Sequence, residues 1–138
     1  LVDGTGMAAV FAAGAEGIQM GTRFVSSKES PVHDNFKNKI LDSTIQGTWI
    51  LNKTSKPVIR ALRTDFTKKI HEAGVMEMND MSNIQDLYFG GDMNAAPALS
   101  GQSVGLIDEV KSVKDIIDQT VSEFNETCNN LSNFKLEV

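Results

Sequence analysis

The chain has 138 residues, of which 41% are hydrophobic and 22% charged, a composition typical of a folded globular protein. No apolar run approaches the roughly 20 residues that a membrane-spanning helix needs. The net charge of −5 disfavours nucleic-acid binding through phosphate neutralisation. We therefore expect neither a membrane nor a nucleic acid as partner. The single cysteine, Cys128, excludes an internal disulfide, so we expect a reducing, cytoplasmic setting.

The two halves of the chain differ in charge. Residues 1–74 carry 10 Lys and Arg against 7 Asp and Glu, a net +3, whereas residues 75–138 carry 3 against 11, a net −8. Solvated helix faces are the simplest explanation of the acidic half. The basic half is the more informative one, because it also holds a conspicuous glycine pattern.

The first predicted element is a helix over residues 4–13, capped by Asp3 and closed by Gly14. Soon after it, the apolar run 17–20 predicts a short buried strand. A helix, a tight turn and a strand make the αβ half of a βαβ unit, as found in parallel sheets. A lone parallel strand has no backbone partners, so we expect further strands before Leu1 or on another chain.

The rest of the chain is predicted to be mainly helical. Ser30 is the expected N-cap of the next helix and Ser112 that of the last. Residues 43–51 and 58–59 predict the two strands of a hairpin. The predicted helices cover residues 31–41, 60–73, 82–88, 92–107 and 113–131, and the last is expected to bury Val113, Ile116, Ile117, Val121 and Phe124.

The sharpest local signal is the segment GIQMGTRF at residues 17–24. Gly21 and Thr22 follow the predicted strand directly, at a place where backbone amides can approach an anion without interference from a Cβ. Thr22 adds a hydroxyl donor, Arg23 adds a positive charge, and residues 26–29 are a candidate start for a short helix. Closed (β/α)₈ barrels often bind phosphate at such a place. These residues alone fit either a phosphate site or a structural turn.

A longer set of residues resembles a known family. Its members are Asp3-Gly4, AGAEGIQMGTRF at residues 13–24, Lys28-Glu29-Ser30, His33, and GQSVGLI at residues 101–107. Together they resemble the FMN-dependent nitronate monooxygenases, formerly called 2-nitropropane dioxygenases. The FMN-dependent enoyl-ACP reductases are near relatives of that family. The resemblance spans nearly the whole chain.

The resemblance implies an α/β fold: the C-terminal portion of a TIM (β/α)₈ barrel, with its last helix–strand unit, plus a mainly helical appendage. Residues 1–30 would be the end of the FMN-binding barrel with its phosphate loop. Residues 31–111 would be an insertion or lid with helices and a short hairpin, and residues 112–138 the C-terminal helix. We therefore expect the chain to be the final portion of a longer protein, with Leu1 inside the phosphate loop.

FMN is the cofactor that the resemblance implies. The residues expected to hold its phosphate are Gln19, Met20, Gly21 and Thr22. The resemblance also implies that the segments 88–91 and 100–102 wall the substrate pocket. The family's catalytic histidine has no counterpart here, so no catalytic residue is assigned and that histidine is expected in an earlier part of the protein. We interpret His33 and His71 as structural, and no metal-ligand spacing is present.

The leading functional hypothesis is an FMN-dependent oxidoreductase, specifically a nitronate monooxygenase that oxidises alkyl nitronates with O₂ to carbonyl compounds and nitrite. Enoyl-ACP reduction with NAD(P)H and FMN is the alternative reaction. A non-catalytic helical binding module is the alternative of another class. The expected partners are the small-molecule substrate, O₂ and the remaining barrel segment of the same protein, and a homo-oligomer is compatible with the sequence.

Overall fold

The computed structural model describes residues 1–134. Its α-helices are α1 (Gly4–Ala12), α2 (Thr22–Val25), α3 (Asp34–Leu41), α4 (Asp65–Ala73), α5 (Ile84–Tyr88) and α6 (Val113–Ser132). The strands β1 (Thr48–Leu51) and β2 (Ile59–Leu62) form an antiparallel hairpin, and 3₁₀ turns cover Met78–Met81 and Gln102–Leu106. No helix within these residues combines the length and the apolarity needed to cross a bilayer. The predicted C-terminal segment 112–138 extends past Phe134, so its last four residues lie outside the described part.

Helix α1 forms where the sequence predicts it, because both of its ends are specified locally. The Asp3 carboxylate accepts a hydrogen bond of 2.7 Å from the Gly6 amide and so caps the first turn. After the helix, Gly14 adopts φ of +97°, a left-handed conformation that glycine enters without steric cost.

Helices α1 and α6 pack directly against each other. A Cβ added to Gly4 would lie 2.1 Å from the Thr120 carbonyl oxygen, so only glycine permits this backbone approach. The rings of Phe11 and Phe124 meet edge to face with their centroids 5.4 Å apart. The cap of α6 is Ser112, as predicted, and its hydroxyl accepts a hydrogen bond from the Asp115 amide.

The predicted burial of α6 is only partly correct. Ile116 is buried, Val113 and Phe124 are half-buried, and Ile117 and Val121 are 47% and 48% exposed. Within residues 1–134 the helix packs chiefly on α1 and α2, and Ile117 and Val121 lie at the edge of that contact, where about half of each residue stays exposed.

Residues 17–20 do not form the predicted strand. They have no regular secondary structure, and the sheet within residues 1–134 is limited to the β1–β2 hairpin. The physical reason is the one that the sequence suggests: a parallel strand needs neighbours for its amides and carbonyls, and apolar character alone does not provide them. The segment therefore connects α1 to α2 without regular secondary structure.

The main core lies beneath α3 and α5. Phe36, Ile40, Leu62, Leu87 and Val104 are fully buried in it. A second, smaller cluster, consisting of Leu51, Ala61 and Ile70, joins the hairpin to α4. Apolar residues spaced four apart on α3 supply the first core, as the predicted amphipathic pattern requires.

Helix α3 begins later than predicted. Its N-cap is His33 rather than Ser30: the His33 Nδ1 accepts a hydrogen bond of 3.1 Å from the Asn35 amide. The Ser30 carbonyl is instead bound by the Lys37 ammonium at 2.8 Å. The residues between Ser30 and His33 therefore stay outside the helix.

Tertiary contacts shift two further predicted boundaries near the hairpin. Strand β2 continues to Leu62, whose amide donates to the Ala98 carbonyl at 2.8 Å. Helix α4, predicted from residue 60, therefore begins only after the Thr64 cap. The predicted strand 43–51 is correspondingly shortened to β1, because residues 43–47 form a turn.

The predicted helix over residues 92–107 is wrong. Residues 92–101 have no regular helix and run alongside β2, where the Ser100 amide donates to the Arg60 carbonyl at 3.1 Å, and only Gln102–Leu106 form a 3₁₀ turn. Pro97 cannot donate a helical hydrogen bond, which accounts for part of the difference. The consequence matters for function, because this path carries Gly101 up to Thr22.

Candidate functional site

A cavity of about 240 Å³ lies where α2 meets the 3₁₀ turn at Gln102–Leu106. We call it the Thr22 cavity. No charged side chain lines it. Its lining residues are Leu1, Val2, Gln19, Gly21, Thr22, Gly101, Gln102, Ser103 and Val104.

Backbone donors are available at the start of α2. The carbonyl of Gly21 accepts hydrogen bonds of 3.0 Å from the amides of Phe24 and Val25, which makes Thr22 the first helical residue. The predicted helix start at residues 26–29 is therefore wrong by about one turn. Within residues 1–134 the amides of Thr22 and Arg23 have no protein acceptor. Unpaired amides at a helix start are donors for an anion.

The Thr22 hydroxyl joins two distant parts of the chain. Its Oγ1 accepts a hydrogen bond of 2.8 Å from the Gly101 amide. Because the oxygen is the acceptor in that contact, its own proton is free to be donated to a ligand. The contact also holds the Gly101–Ser103 stretch at the mouth of the Thr22 cavity.

Gly21 leaves the backbone bare at this point. Its φ of −95° is open to any residue, and a Cβ placed on it would have no atom within 4 Å. The glycine is therefore not required by backbone strain or by packing among the described residues. It lines the cavity instead, so a ligand can reach the backbone directly.

These features fit a phosphate group. The unpaired Thr22 amide, the free proton of its hydroxyl and the open backbone of Gly21 belong to residues that line one cavity with no carboxylate in its lining. Of the four residues predicted to hold phosphate, Gln19, Gly21 and Thr22 line the Thr22 cavity. Met20 lies beside a neighbouring apolar cavity of about 500 Å³, together with Phe24 and Val113.

Arg23 does not supply the positive charge that the sequence suggested for the phosphate. It is buried and donates a hydrogen bond of 2.8 Å to the Glu109 carbonyl. Burial lowers the pKa of its guanidinium, an effect that the nearby charges of Glu109 and Asp108 oppose. The Arg23 side chain therefore links α2 to the segment before α6 by a hydrogen bond.

A second cavity, of about 440 Å³, shares Gly21 and Thr22 with the first. We call it the Tyr88 cavity. Its other lining residues are Val25, Ile59, Arg60, Tyr88, Leu99 and Ser100, so it is mainly apolar with one cation. The Arg60 guanidinium is held by a hydrogen bond of 2.9 Å to the Thr48 hydroxyl.

Tyr88 forms a fixed wall of that cavity. Its ring stacks on Phe36 with the centroids 5.0 Å apart. Burial raises the pKa of its hydroxyl, so the neutral form is the one present at physiological pH. Tyr88 and Ser100 thus line a cavity that adjoins the Thr22 cavity, whereas Phe89 is 60% exposed.

Sequence reasoning missed several residues of both cavities. It placed Gly101 and Gln102 on the substrate wall, and the structure places them in the Thr22 cavity. The motif GQSVGLI was the signal that could have assigned them. Arg60 and Ile59 had no such signal, because they reach the Tyr88 cavity only through the hairpin register.

The two histidines have structural partners. His33 caps α3, and a Cβ on Gly91 would lie 2.4 Å from its Nδ1. His71 places Nδ1 3.0 Å from the Ile50 carbonyl, which makes that nitrogen the donor, and its ring stacks on Trp49 at 4.0 Å. Within residues 1–134 no cluster of three or more metal-ligating side chains is present.

Comparisons with known proteins relate this chain to a family. The sequence model named nitronate monooxygenase matches residues 1–123. The (3aS,4S,5R,7aS)-5-hydroxy-7a-methyl-1-oxo-octahydro-1H-indene-4-carboxyl-CoA dehydrogenase of Rhodococcus jostii is 27% identical over 165 aligned residues, covering 88% of this chain and 47% of its own length. A probable nitronate monooxygenase of Staphylococcus saprophyticus is 29% identical, covering 94% of this chain and 38% of its own length.

Solved structures agree with this placement. FabK from Thermotoga maritima is 40% identical and superimposes with a TM-score of 0.88, over 98% of this chain and 45% of that protein. Nitroalkane oxidase from Streptomyces ansochromogenes shares the fold, with a TM-score of 0.78 at 22% identity, over 95% of this chain and 39% of that protein. This chain spans less than half the length of each of these relatives. Since the family's sequence model covers most of its residues, the chain belongs to the nitronate monooxygenase family.

Proposed function

We propose that this chain holds the phosphate end of FMN in a flavin-dependent oxidoreductase. The observation that carries the proposal is the Thr22 cavity, where Gly21 and Thr22 line a cavity without a charged side chain and the Thr22 hydroxyl has a proton to donate. FMN, when bound, supplies the redox chemistry, and the protein supplies binding and orientation. In this proposal Gln19, Gly21 and Thr22 hold the phosphate, and Met20 packs beside them.

The remaining residues of the two cavities orient the ligand and exclude water. The Gly101–Ser103 stretch, tied to Thr22, closes one side of the phosphate position. Val25, Ile59 and Leu99 make the adjoining Tyr88 cavity apolar. An apolar cavity next to a fixed phosphate site suits a substrate with a hydrocarbon part.

For the reaction, we propose reduction of a 2-enoyl thioester with NAD(P)H. The relation to FabK supports it, since 40% identity and a TM-score of 0.88 exceed the values for the nitronate-oxidising relatives. The apolar walls of the Tyr88 cavity would take the acyl chain. This order reverses that of the sequence hypothesis, in which nitronate oxidation came first.

Nitronate oxidation is the second candidate reaction. It is supported by the family's sequence model and by the relative from Staphylococcus saprophyticus. In that case an alkyl nitronate and O₂ would be the substrates, and a carbonyl compound and nitrite the products.

The test uses the protein as its gene encodes it, purified and assayed in two ways. With crotonyl thioester and NADH or NADPH, we expect thioester-dependent oxidation of the nicotinamide. With propionate 3-nitronate and O₂ in the absence of NAD(P)H, we expect no nitrite. Nitrite release without thioester activity would replace the first reaction by the second.

A purified protein that neither retains nor binds FMN would refute the flavin proposal and favour the binding module. Three further proposals accompany the assignment of function. The first is that residues 1–30 and 31–111 act as phosphate-binding segment and lid, with the helix from residue 112 packed on α1. The second is that the rest of a TIM barrel comes from the same polypeptide, and the third is that the protein works in the cytoplasm.

A further inference from the structure

A third cavity, of about 340 Å³, opens at the start of α4 and shares no lining residue with the two cavities beside Thr22. We call it the Arg63 groove. Cations from three parts of the fold meet there: Lys39 from α3, Arg63 from just after β2 and Lys68 from α4. Among the described lining residues Asp65 alone carries a carboxylate, so the lining has a net charge of +2.

The β1–β2 hairpin separates the Arg63 groove from the Tyr88 cavity. Thr48 and Trp49 are successive residues of β1, so their side chains point to opposite faces of the hairpin. Arg63 stacks on Trp49, whereas Arg60 donates a hydrogen bond to the Thr48 hydroxyl. The two arginines therefore lie on opposite faces, and a small ligand in the groove lies apart from a substrate in the Tyr88 cavity.

The cations of the groove are not neutralised by the described part of the protein. Within residues 1–134 no carboxylate lies within 4.0 Å of the Lys39 or Arg63 nitrogens. Lys68 lies 3.9 Å from Glu72 in a solvent-exposed pair, which contributes little. The groove therefore attracts an anion with more than one negative charge.

Arg63 is held in place before any ligand arrives. Its guanidinium carbon lies 3.9 Å from the centroid of the Trp49 ring. Its backbone amide donates to the Gly47 carbonyl at 2.9 Å, and its Nε donates to the Thr48 carbonyl at 3.4 Å. The two terminal nitrogens have no acceptor within residues 1–134, so a stacked arginine that is already ordered can bind two oxygens of a phosphate.

Trp49 adds two observations on the kind of ligand. Its Nε1 is buried and has no hydrogen-bond partner within residues 1–134. A buried donor without an acceptor is unfavourable, so this N–H favours an oxygen-rich ligand in the groove that Trp49 lines. Its ring is covered by Arg63 at 3.9 Å and by His71 at 4.0 Å, which leaves no face on which a nucleotide base could stack.

We propose that the Arg63 groove binds a phosphate monoester, as a ligand separate from the flavin and from the substrate of the Tyr88 cavity. At pH 7 such a group carries about −1.5 to −2 charges on three acceptor oxygens. This charge matches the net +2 of the lining, and the three cations approach from three parts of the fold. The phosphate could come from a small phosphorylated metabolite or from a nucleotide, and the covered faces of Trp49 favour the metabolite.

The test is calorimetric titration of the full-length protein with β-glycerophosphate, in excess FMN so that the Thr22 cavity does not contribute. In the double variant Lys39→Gln with Lys68→Gln we expect the Kd to rise at least about tenfold. The matched control is Lys69→Gln, which removes an exposed charge from α4 outside the groove, and its Kd should equal that of the wild type. No binding to the wild type, an unchanged Kd in the double variant, or an equal rise in the control would overturn the proposal.

Two further titrations of the wild type identify the chemistry that is recognised. Malonate, a dianion without phosphorus, should bind at least about threefold more weakly than β-glycerophosphate, and equal affinity would overturn the assignment to phosphate. Adenosine 2′-monophosphate should bind within about threefold of β-glycerophosphate, and affinity at least about tenfold higher would assign the groove to a nucleotide instead. A protein that binds no FMN would leave this test intact, because the double variant alters the charges of the groove alone.

Discussion

The Thr22 cavity and the Arg63 groove both suit a phosphate, and they attract it by different means. The first has no charged side chain in its lining and offers oriented N–H and O–H groups. The second gathers Lys39, Arg63 and Lys68 with few fixed donors. Oriented neutral donors define one position closely, whereas a group of surface cations attracts any anion and its attraction is weakened by salt.

This difference suits two kinds of ligand. A cofactor that stays bound needs a defined position, and the Thr22 hydroxyl tied to Gly101 provides one. A small ligand that binds reversibly gains more from attraction at a distance and an open groove. The four changes below test this contrast, beginning with the largest expected effect.

The substitution Gly21→Asp should abolish tight flavin binding. A carboxylate would then stand at the bare backbone that lines the Thr22 cavity, and the fold should be kept because a Cβ there has no atom within 4 Å. We expect the Kd for FMN, measured by flavin fluorescence, to rise at least about a hundredfold, or about 2.7 kcal/mol. Gly17→Asp is the matched control, since Gly17 is equally open but lies outside the cavity; the same loss in both variants would contradict the proposal.

The substitution Arg23→Gln should affect stability rather than the flavin. It removes the hydrogen bond from a buried guanidinium to the Glu109 carbonyl, which should cost about 2 kcal/mol of the free energy of unfolding. Urea titration measures that loss, and the Kd for FMN should change by less than about threefold. A flavin affinity that fell as far as in Gly21→Asp would restore Arg23 as a phosphate ligand.

The substitution Thr22→Val keeps the shape of the side chain and removes its hydroxyl. The Gly101 amide then loses its acceptor, and the phosphate loses one donor. We expect the Kd for FMN to rise about tenfold, which corresponds to about 1.4 kcal/mol. Thr22→Ser should retain most of the affinity, and an equal loss in the serine variant would show that the methyl group, not the hydroxyl, matters.

Added salt should affect ligand binding at the Thr22 cavity and at the Arg63 groove differently, and this test needs no substitution. Raising the ionic strength from about 0.1 M to about 1 M shortens the screening length from about 10 Å to about 3 Å. The Kd for FMN should change by less than about twofold, while the Kd for β-glycerophosphate should rise several-fold. A steep salt dependence of flavin binding would mean that charges outside the described residues dominate the Thr22 cavity.

Elements whose ends are set by neighbouring residues could be predicted from the sequence. Elements that depend on hydrogen bonds to distant residues could not. Helix α1 was predictable because Asp3 and Gly14 specify its ends locally. The start of helix α4 was not predictable, because the preceding strand is extended by a hydrogen bond between Leu62 and Ala98, although its end before Gly74 was predicted correctly. The strand predicted at residues 17–20 failed because its signal is local whereas its stability requires neighbours.

The candidate site follows the same rule. Gly21 and Thr22 are adjacent in the sequence, so one motif was enough to find them. Arg60 could not be found, because its place beside Tyr88 depends on the register of the hairpin and on the path of an irregular segment. The side-chain direction of Met20 was equally inaccessible to a pattern of glycines.

The close contact between Gly4 and Thr120 limits where homologues of this chain can carry insertions or deletions. The Gly4 amide also donates to the Glu123 carboxylate at 2.9 Å, so α1 and α6 are fixed in one register by backbone and side chain together. Inserting or deleting a residue within either helix would rotate the glycine out of this contact. Segments between the two helices are free of that constraint. We therefore expect the additional residues that longer homologues carry in the aligned region to lie between α1 and α6 rather than inside them.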